Sequence, residues 1–390
     1  MSLPRLIQLD CVDGLREAAP LWDDLWWRSD VSCPTFRAEM VAQWLEQFAR
    51  PGDFHALVVE DGGQWVAALP LVRTEHCRLL STGGLTSNEW SPNGELMLDP
   101  AAASDAVLEV LVSGIRRTPW QLLWFDDVPL AAPGWSALQG ALDHLPTAGD
   151  RHWQMEVGLI ELAGDWETFR RRLTKKHRCK MARCNRRLAE RGEVRVELLG
   201  DVDPAEIETR LQTAFEIEDR SWKGTGGTSV LSSPGMFEFF VRQARQLARW
   251  GQLELAFLHC GDVPVASIYG YGAKGVSYWH KIGYDPAYQC CTPGQLLQCY
   301  VLERFHSEPG RRAVDTMGRL TGALAKWNPT PYRVGRLMIA PRALVGRMAM
   351  YACKRLTRYR HRAGDAQAGG DAAQSSDAKA PSPQREPQPA

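Results

Sequence analysis

Ten cysteines are scattered over 390 residues with no CxxC pair and no His/Cys spacing of the zinc type. Neither a disulfide framework nor a metal knuckle is therefore expected; the thiols read as free in a reducing cytoplasm, and no metal is called for. Nowhere do 18 apolar residues run together, and the opening MSLPRLIQLDCVDGLREAAP lacks a basic start followed by an apolar core. A membrane span and a secretory signal are not expected. There is no Ser/His/Asp nucleophile elbow, no P-loop, and no RNP-like run of aromatics and basic residues, so hydrolase, nucleotidase and RNA-binding readings lack positive support. Net charge is missing too, with 46 basic residues against 46 acidic ones. The zero hides a division: residues 1–160 hold 10 Lys/Arg and 22 Asp/Glu, whereas 161–362 hold 34 and 20. An acidic half followed by a basic half predicts two domains that attract each other, with anionic ligands on the second.

What is present is an alternation of helix-period and strand-period segments. Leu21 to Trp27 and Met40 to Phe48 have helical spacing, and HALVVE, WVAALPLV, RLLS and QLLWFDDV read as strands. HALVVEDGGQWVAALPLV predicts a hairpin meeting at Asp61, Gly62 and Gly63. In the second half, a long basic helix from about Trp166 to Arg191 precedes a strand EVRVELL and helices over roughly 204–221 and 235–250. Strands LELAFLHC, PVASIYGYG and VSYWHKIGY follow, then a turn CCTPGQ, a helix LLQCYVLERFH, and strands RAVDTMG and RVGRLMI. GYGAKG at 270–275 satisfies G-x-G-x-x-G, but a strand rather than a helix follows, so it reads as a hairpin bend and not as a dinucleotide site. Residues 341–362 carry apolar Leu344, Met348, Tyr351 and Leu356 on one side and Arg347, Lys354, Arg358 and Arg362 on the other. This predicts a basic amphipathic helix that either completes the core or lies on the anionic face of the inner membrane. Residues 363–390 contain no aromatic or branched aliphatic side chain and are expected to be disordered.

This order, three hairpin strands feeding through a glycine turn into a helix and a further strand, is that of the acyl-CoA N-acyltransferase fold. The chain resembles the GNAT-superfamily group of CelD and BioF2-like (cellulose-biosynthesis acetyltransferase-like) proteins, related to the FemAB transferases. The resemblance rests on PTFRAEMVAQWLEQF, LVVEDGGQWVAALPLV, FRRRLTKKHRCKMARCNRRLAERGEV, EDRSWKGTGGTS, AFLHCGDVPVASIYGYG, YWHKIGYDPAY, CTPGQLL and DTMGRLTGALAKWNP. It implies an α/β fold of two tandem GNAT-like domains, 1–160 and 161–340. It also implies acetyl-CoA or another acyl-CoA as co-substrate, and a small-molecule or glycan-precursor amine as acceptor. Cys290 and Cys291 before the turn and the tryptophan-rich first half depart from the group's pattern and leave the acceptor open.

Candidate residues follow. Thr292, Pro293, Gly294, Gln295 and Leu296 open an apolar helix; Thr292 can cap it, and the free N–H groups there either bind phosphate or form an ordinary capped start. His280 and Lys281 occupy one strand, so alternation sends them to opposite faces and only one can face a cleft. Glu218 ends a helix and reads either as a base or as a surface residue, and Asp315 ends the strand after the CoA-type helix, where a buried carboxylate can orient an acceptor. The resemblance singles out Trp222, Lys223, Lys281, Asp315 and Lys326. Asn88, Glu89 and Trp90 after the glycine turn TGGL line an acceptor groove or form a capping loop. Eleven Lys/Arg between Arg170 and Arg191 face only Glu190, and charge alone leaves CoA phosphates, tRNA, an anionic lipid and the acidic first half as partners. The sequence reading is thus an acyl-CoA-dependent N-acyltransferase. An aminoacyl-tRNA-dependent FemAB-type enzyme and a non-catalytic GNAT module are its rivals.

Overall fold

The structure is a computed structural model that describes residues 3–75, 80–143, 149–200, 202–221, 224, 226–341 and 348. Apart from Pro341 and Met348, the helix expected over 341–362 lies outside them, as do the tail 363–390 and the candidates Trp222 and Lys223.

The first half comprises β1 (Arg5–Leu9), α1 (Val12–Glu17), α2 (Ala19–Arg28), α3 (Ala38–Phe48), β2 (Phe54–Asp61), β3 (Gln64–Thr74), β4 (Thr82–Leu85), the short β5 (Met97–Leu98), α4 (Asp105–Arg117), β6 (Leu122–Val128) and α5 (Pro133–Asp143). The long strand β7 (Gly149–Glu161) crosses the middle of the chain. The second half comprises α6 (Trp166–Arg172), α7 (Lys175–Ala189), β8 (Val194–Leu199), α8 (Ile207–Asp219), α9 (Met236–Arg249), β9 (Leu253–Cys260), β10 (Val263–Ala273), β11 (Val276–Tyr284), α10 (Pro293–Phe305), β12 (Ala313–Arg319) and β13 (Thr330–Ile339). All the strands belong to one sheet, ordered β1-β2-β3-β4-β6-β13-β7-β12-β11-β10-β9-β8, with β5 beside β3.

Each half runs through antiparallel hairpins into a parallel pair. In the first, β2 and β3 turn at Gly62 and Gly63, both at positive φ, and β4 pairs β6 in parallel. In the second, β9, β10 and β11 form two hairpins and β11 pairs β12 in parallel. The GYGAKG segment is a hairpin bend, with Lys274 (φ 49°) and Gly275 (φ 76°) at its tip. Left-handed conformation at both central residues matches the twist of the flanking strands. The last strand leaves its neighbours in sequence and lies between β6 and β7, antiparallel to both.

One face of the sheet carries a core shared by both halves, built from α1, α2 and α3 together with α8 and α9. Phe48 and Phe239 meet there with ring centroids 5.1 Å apart. The tryptophans of the first half belong to this core: Trp22 and Trp26 are fully buried, and their indole N–H groups donate to the carbonyls of Phe36 (2.8 Å) and Cys33 (3.0 Å). On the opposite face α4 and α5 cover the first half, and α6, α7 and α10 the second.

Three expectations are corrected. The basic helix is two helices, because Leu173 turns to ψ 147° and Thr174 caps α7 by accepting the His177 N–H (3.2 Å). TGGL is strand β4 rather than a turn; its glycines are needed because a Cβ at Gly83 would collide with the Trp120 ring and one at Gly84 with the Trp124 carbonyl. Of the RLLS strand, Arg78 and Leu79 lie outside the described residues, and Leu80 and Ser81 precede β4.

Trp327 is fully buried, stands edge-on to His177 at 4.7 Å between centroids, and donates to Gln298 Oε1 (2.8 Å). Trp327→Ala is expected to cost about 3–5 kcal/mol in a urea titration, since it opens a cavity and strands the Gln298 amide. Wild-type stability in that variant would show that the layer of α7 and α10 is held elsewhere.

Candidate active site

The parallel pair of the second half is short. β11 and β12 are in register over three residues, ending at Tyr278↔Asp315. Past Asp315 the β12 chain swings out: Met317 has φ 56°, and the register with β7 jumps between Asp315 and Arg319. Thr316 repairs the ladder, its hydroxyl donating to the Gly158 carbonyl (3.1 Å) and accepting the Gly158 N–H (3.3 Å). β11 continues to Tyr284 against β10. Two neighbouring strands thus splay apart directly beyond Asp315.

His280 and Lys281 do not point to opposite faces. The pairing of β11 with β10 skips a residue between Lys281 and Trp279, a bulge at His280 that breaks the alternation. The His280 ring lies beside Phe240, Tyr269 and Tyr271, and the Lys281 ammonium lies 5.6 Å from the Phe240 ring centre and 5.0 Å from that of Trp90 of the first half. Both residues therefore face the shared core side.

A buried polar cluster occupies that side of the splay. Asp315, 8% exposed, accepts the Met317 N–H (2.7 Å) on Oδ1 and the Tyr332 hydroxyl (2.8 Å) on Oδ2. Burial pushes its carboxyl up to about 6, although both hydrogen bonds pull the other way. Tyr278 shares a hydrogen bond with Ser32 of the first half (2.6 Å), and Cys33, pushed up to about 12 by burial, bonds Thr35 (3.0 Å). Glu95, bonded by the Trp135 indole, is raised to about 7, again chiefly by desolvation. Ser32, Cys33, Glu95, Tyr278 and Tyr332 carry no local motif, and the sequence reading missed them.

The start of α10 follows β11 through a 3-10 turn over Pro286–Cys291. The expected Thr292 cap is not made, because an N-cap side chain needs an extended backbone and Thr292 is left-handed (φ 46°, ψ 56°). Its Oγ1 is buried with no partner among the described residues, while its carbonyl accepts the N–H groups of Gln295 and Leu296, both at 3.1 Å. Pro293 occupies the first turn. A Cβ on Gly294 would meet only Tyr284 and Ile282, at 3.7–4.0 Å, so the fold does not require glycine there. Gln295 reaches the Ala323 carbonyl (3.4 Å), and Leu296 is core. Thr292 and Met317 are two of the five non-glycine residues at positive φ in the described chain.

The other candidates are dispersed. Glu218 is 3% exposed, which removes the surface reading; its Oε2 accepts the Val230 N–H (3.4 Å), and its backbone would stand 3.1–3.2 Å from a Cβ on Gly283 of β11. Asn88 closes a loop by accepting the N–H groups of Trp90 and Ser91, both at 3.0 Å, and Glu89 is exposed. Lys326 is exposed on the opposite face near His177, which burial first, and then Lys326 and Lys180, hold down at about 4. A cavity of about 230 Å³ on that face lies between α6, α7 and α10, away from Asp315. Among the described residues no group of three or more His, Cys, Asp or Glu is placed to hold a metal, and no helix is long and apolar enough to cross a membrane.

Among the described residues the cations of α6 and α7 form no ion pair with the acidic half. Among the described residues the ion pair they make is Arg170 with Glu167 (3.4 Å). Lys176, Lys180, Arg183 and Arg187 recur at helical spacing as one stripe along α7.

Residues 175–327 match the acetyltransferase (GNAT) domain family. The chain is similar in structure to FemX, with a TM-score of 0.58 at 10% identity over 85% of this chain and 96% of that one. It is also similar to the C-terminal domain of a putative lysylphosphatidylglycerol synthetase from Agrobacterium fabrum, with a TM-score of 0.51 at 12% identity over 87% and 96%. No curated protein sequence matches it significantly. Residues 175–327 are thus a GNAT-type domain set in a mixed α/β protein built on one sheet, whose fold as a whole is similar to that of FemX.

Proposed function

We propose that this chain transfers an acyl group from an acyl-CoA thioester to an amine. The donor is held by the second half, residues 161–340, and the acceptor enters against the first, residues 1–160. The observation that carries the reading is the splay of β11 and β12 beside a buried carboxyl whose affinity for a proton is raised. The donor pyrophosphate would take the first N–H groups of α10 around Gly294 and Gln295, where a helix start favours negative charge. The acceptor nitrogen attacks the thioester carbonyl, the C–N bond forms and the C–S bond breaks. The nitrogen, acidified by bonding to the carbonyl carbon, gives its proton to the Asp315 carboxylate, and that proton passes on to the departing thiolate, so that CoA leaves as the thiol and Asp315 is restored.

Lys281 and His280 would line the approach, with Glu218 behind the strand. Trp90 and Lys281 reach towards each other from the two halves and suit the acceptor side, with Asn88 and Glu89 in the Trp90 loop; the CelD-like resemblance adds Trp222 and Lys223 as acceptor residues, and Lys326 suits donor phosphates. An amino sugar or another precursor of extracellular polysaccharide, acylated in the cytoplasm, is the acceptor class that the CelD-like resemblance supports.

The test is to offer purified protein acetyl-CoA with hexosamines and other amines and to follow CoA release and product mass. Neither binding nor consumption of acyl-CoA would sink the proposal. One observation favours a second reading: among the described residues the α7 cations form no ion pair with the acidic half, in a fold similar to FemX. Transfer from aminoacyl-tRNA, with RNA retained through purification and no acetyl-CoA turnover, would establish that alternative.

A further inference from the structure

The tip of the β10–β11 hairpin crosses from the second half into the first. There the Lys274 ammonium donates to three carbonyls at the end of α2, those of Trp26, Ser29 (2.9 Å) and Val31 (2.7 Å), and lies 4.5 Å from the centre of the Trp26 ring. Three acceptors use every donor an ammonium has. The hairpin itself is held in place, since Arg312 donates to the Lys274 carbonyl (2.5 Å) and both tip residues are left-handed. The carbonyls lie immediately before Ser32 and Cys33, the residues that meet Tyr278 and close the cluster around Asp315 from the first half.

We propose that Lys274 is a positioning residue: by fixing the turn 26–31 it seats Ser32 and Cys33 over Tyr278 and keeps water away from Asp315. The reading rests on the acyl-transfer role given to Asp315, but its central test does not. The titratable groups facing Asp315 are Tyr332 from β13, Tyr278 from β11 and Cys33 from the loop after α2, with Glu95 acting on Tyr278. The charges acting on Lys274 are Asp30, which favours its proton, and Arg312, which opposes it; burial draws it down to about 8. The carbonyl tripod works against that loss. Near neutral pH the ammonium is charged and the turn is held.

With no substrate present, the titration of Asp315 is read as the pH dependence of the melting difference between a protein and its Asp315→Asn counterpart. In the parent this difference should grow from about pH 4 to about pH 6 and then level off, because the ionised form is the one that burial penalises. In a Lys274→Met background the rise is expected to end at least about one pH unit lower, as water reaches the carboxyl and returns it towards the ordinary value near 3.9. In transfer assays, kcat should fall while KM for the donor holds, and the acidic limb of the pH profile should move the same way. Lys274→Gln, which retains two donors without the charge, replaces Lys274→Met should the latter not fold. An unchanged Asp315 midpoint in the folded variant overturns the proposal and leaves Lys274 as a tie between halves. A shifted midpoint in a protein that transfers no acyl group would instead count against the proposed function alone.

Discussion

Asp315→Asn is expected to lower acyl transfer by at least about a hundredfold, the usual contribution of a positioned proton acceptor, without lowering the melting temperature at neutral pH. The two halves of this expectation come from the same burial. A carboxyl raised from 3.8 to about 6 binds its proton more tightly in the folded chain than in the unfolded one. The contribution of Asp315 to stability is therefore greatest below its unfolded value, falls as pH rises between these values, and is flat above them. Asparagine keeps the volume and an oxygen for the Met317 N–H without the buried charge. The variant should gain up to about 3 kcal/mol relative to wild type above pH 6, two pH units at 1.36 kcal/mol each, less whatever the Tyr332 contact loses. Turnover followed with acyl-CoA, together with melting curves at pH 4 and pH 7.5, checks both. A variant that turns over normally removes Asp315 from the chemistry, and one that melts far lower at pH 7.5 makes the Asp315–Tyr332 pair a structural element.

The second large effect is expected at the start of α10. Gly294→Ala adds a methyl group that meets Tyr284 and Ile282 at ordinary distances, so the protein alone should tolerate it. Gly294→Asp places a negative charge where the donor pyrophosphate would sit. Acyl-CoA affinity measured by calorimetry should fall at least about tenfold, or 1.4 kcal/mol, with little change in melting temperature. Equal affinity in the folded Asp variant would move the donor site away from this helix.

Much of the fold was legible because its signals are local. The periods of α2, α3, β2 and β3, the Asp61–Gly63 hairpin and each of the two hairpins before α10 lie within windows of about 20 residues. The break at Thr174 was also local, but a continuous run of lysine and arginine masked its capping pattern. The His280 bulge was not legible, since alternation along one strand says nothing about a residue skipped by its partner. Asp315 was reached through its place after the CoA-type helix. Its companions were out of reach: Tyr278 meets Ser32 across 246 positions, and Tyr332 comes from a strand whose place in the sheet no local pattern reveals. Thr292 failed as a cap because its backbone is left-handed, which composition does not announce.

The place of β13 has a consequence for synthesis. One edge of β6 is complete when Val128 has been made, yet the strand that covers it ends at Ile339. At the usual pace of translation, about 5–20 residues per second, that edge waits roughly 10–40 s on the ribosome with its backbone donors and acceptors open. The first half is thus exposed to pairing with a neighbouring nascent chain for most of the time the second half is being made. A fragment cut before residue 330 would retain that open edge for good.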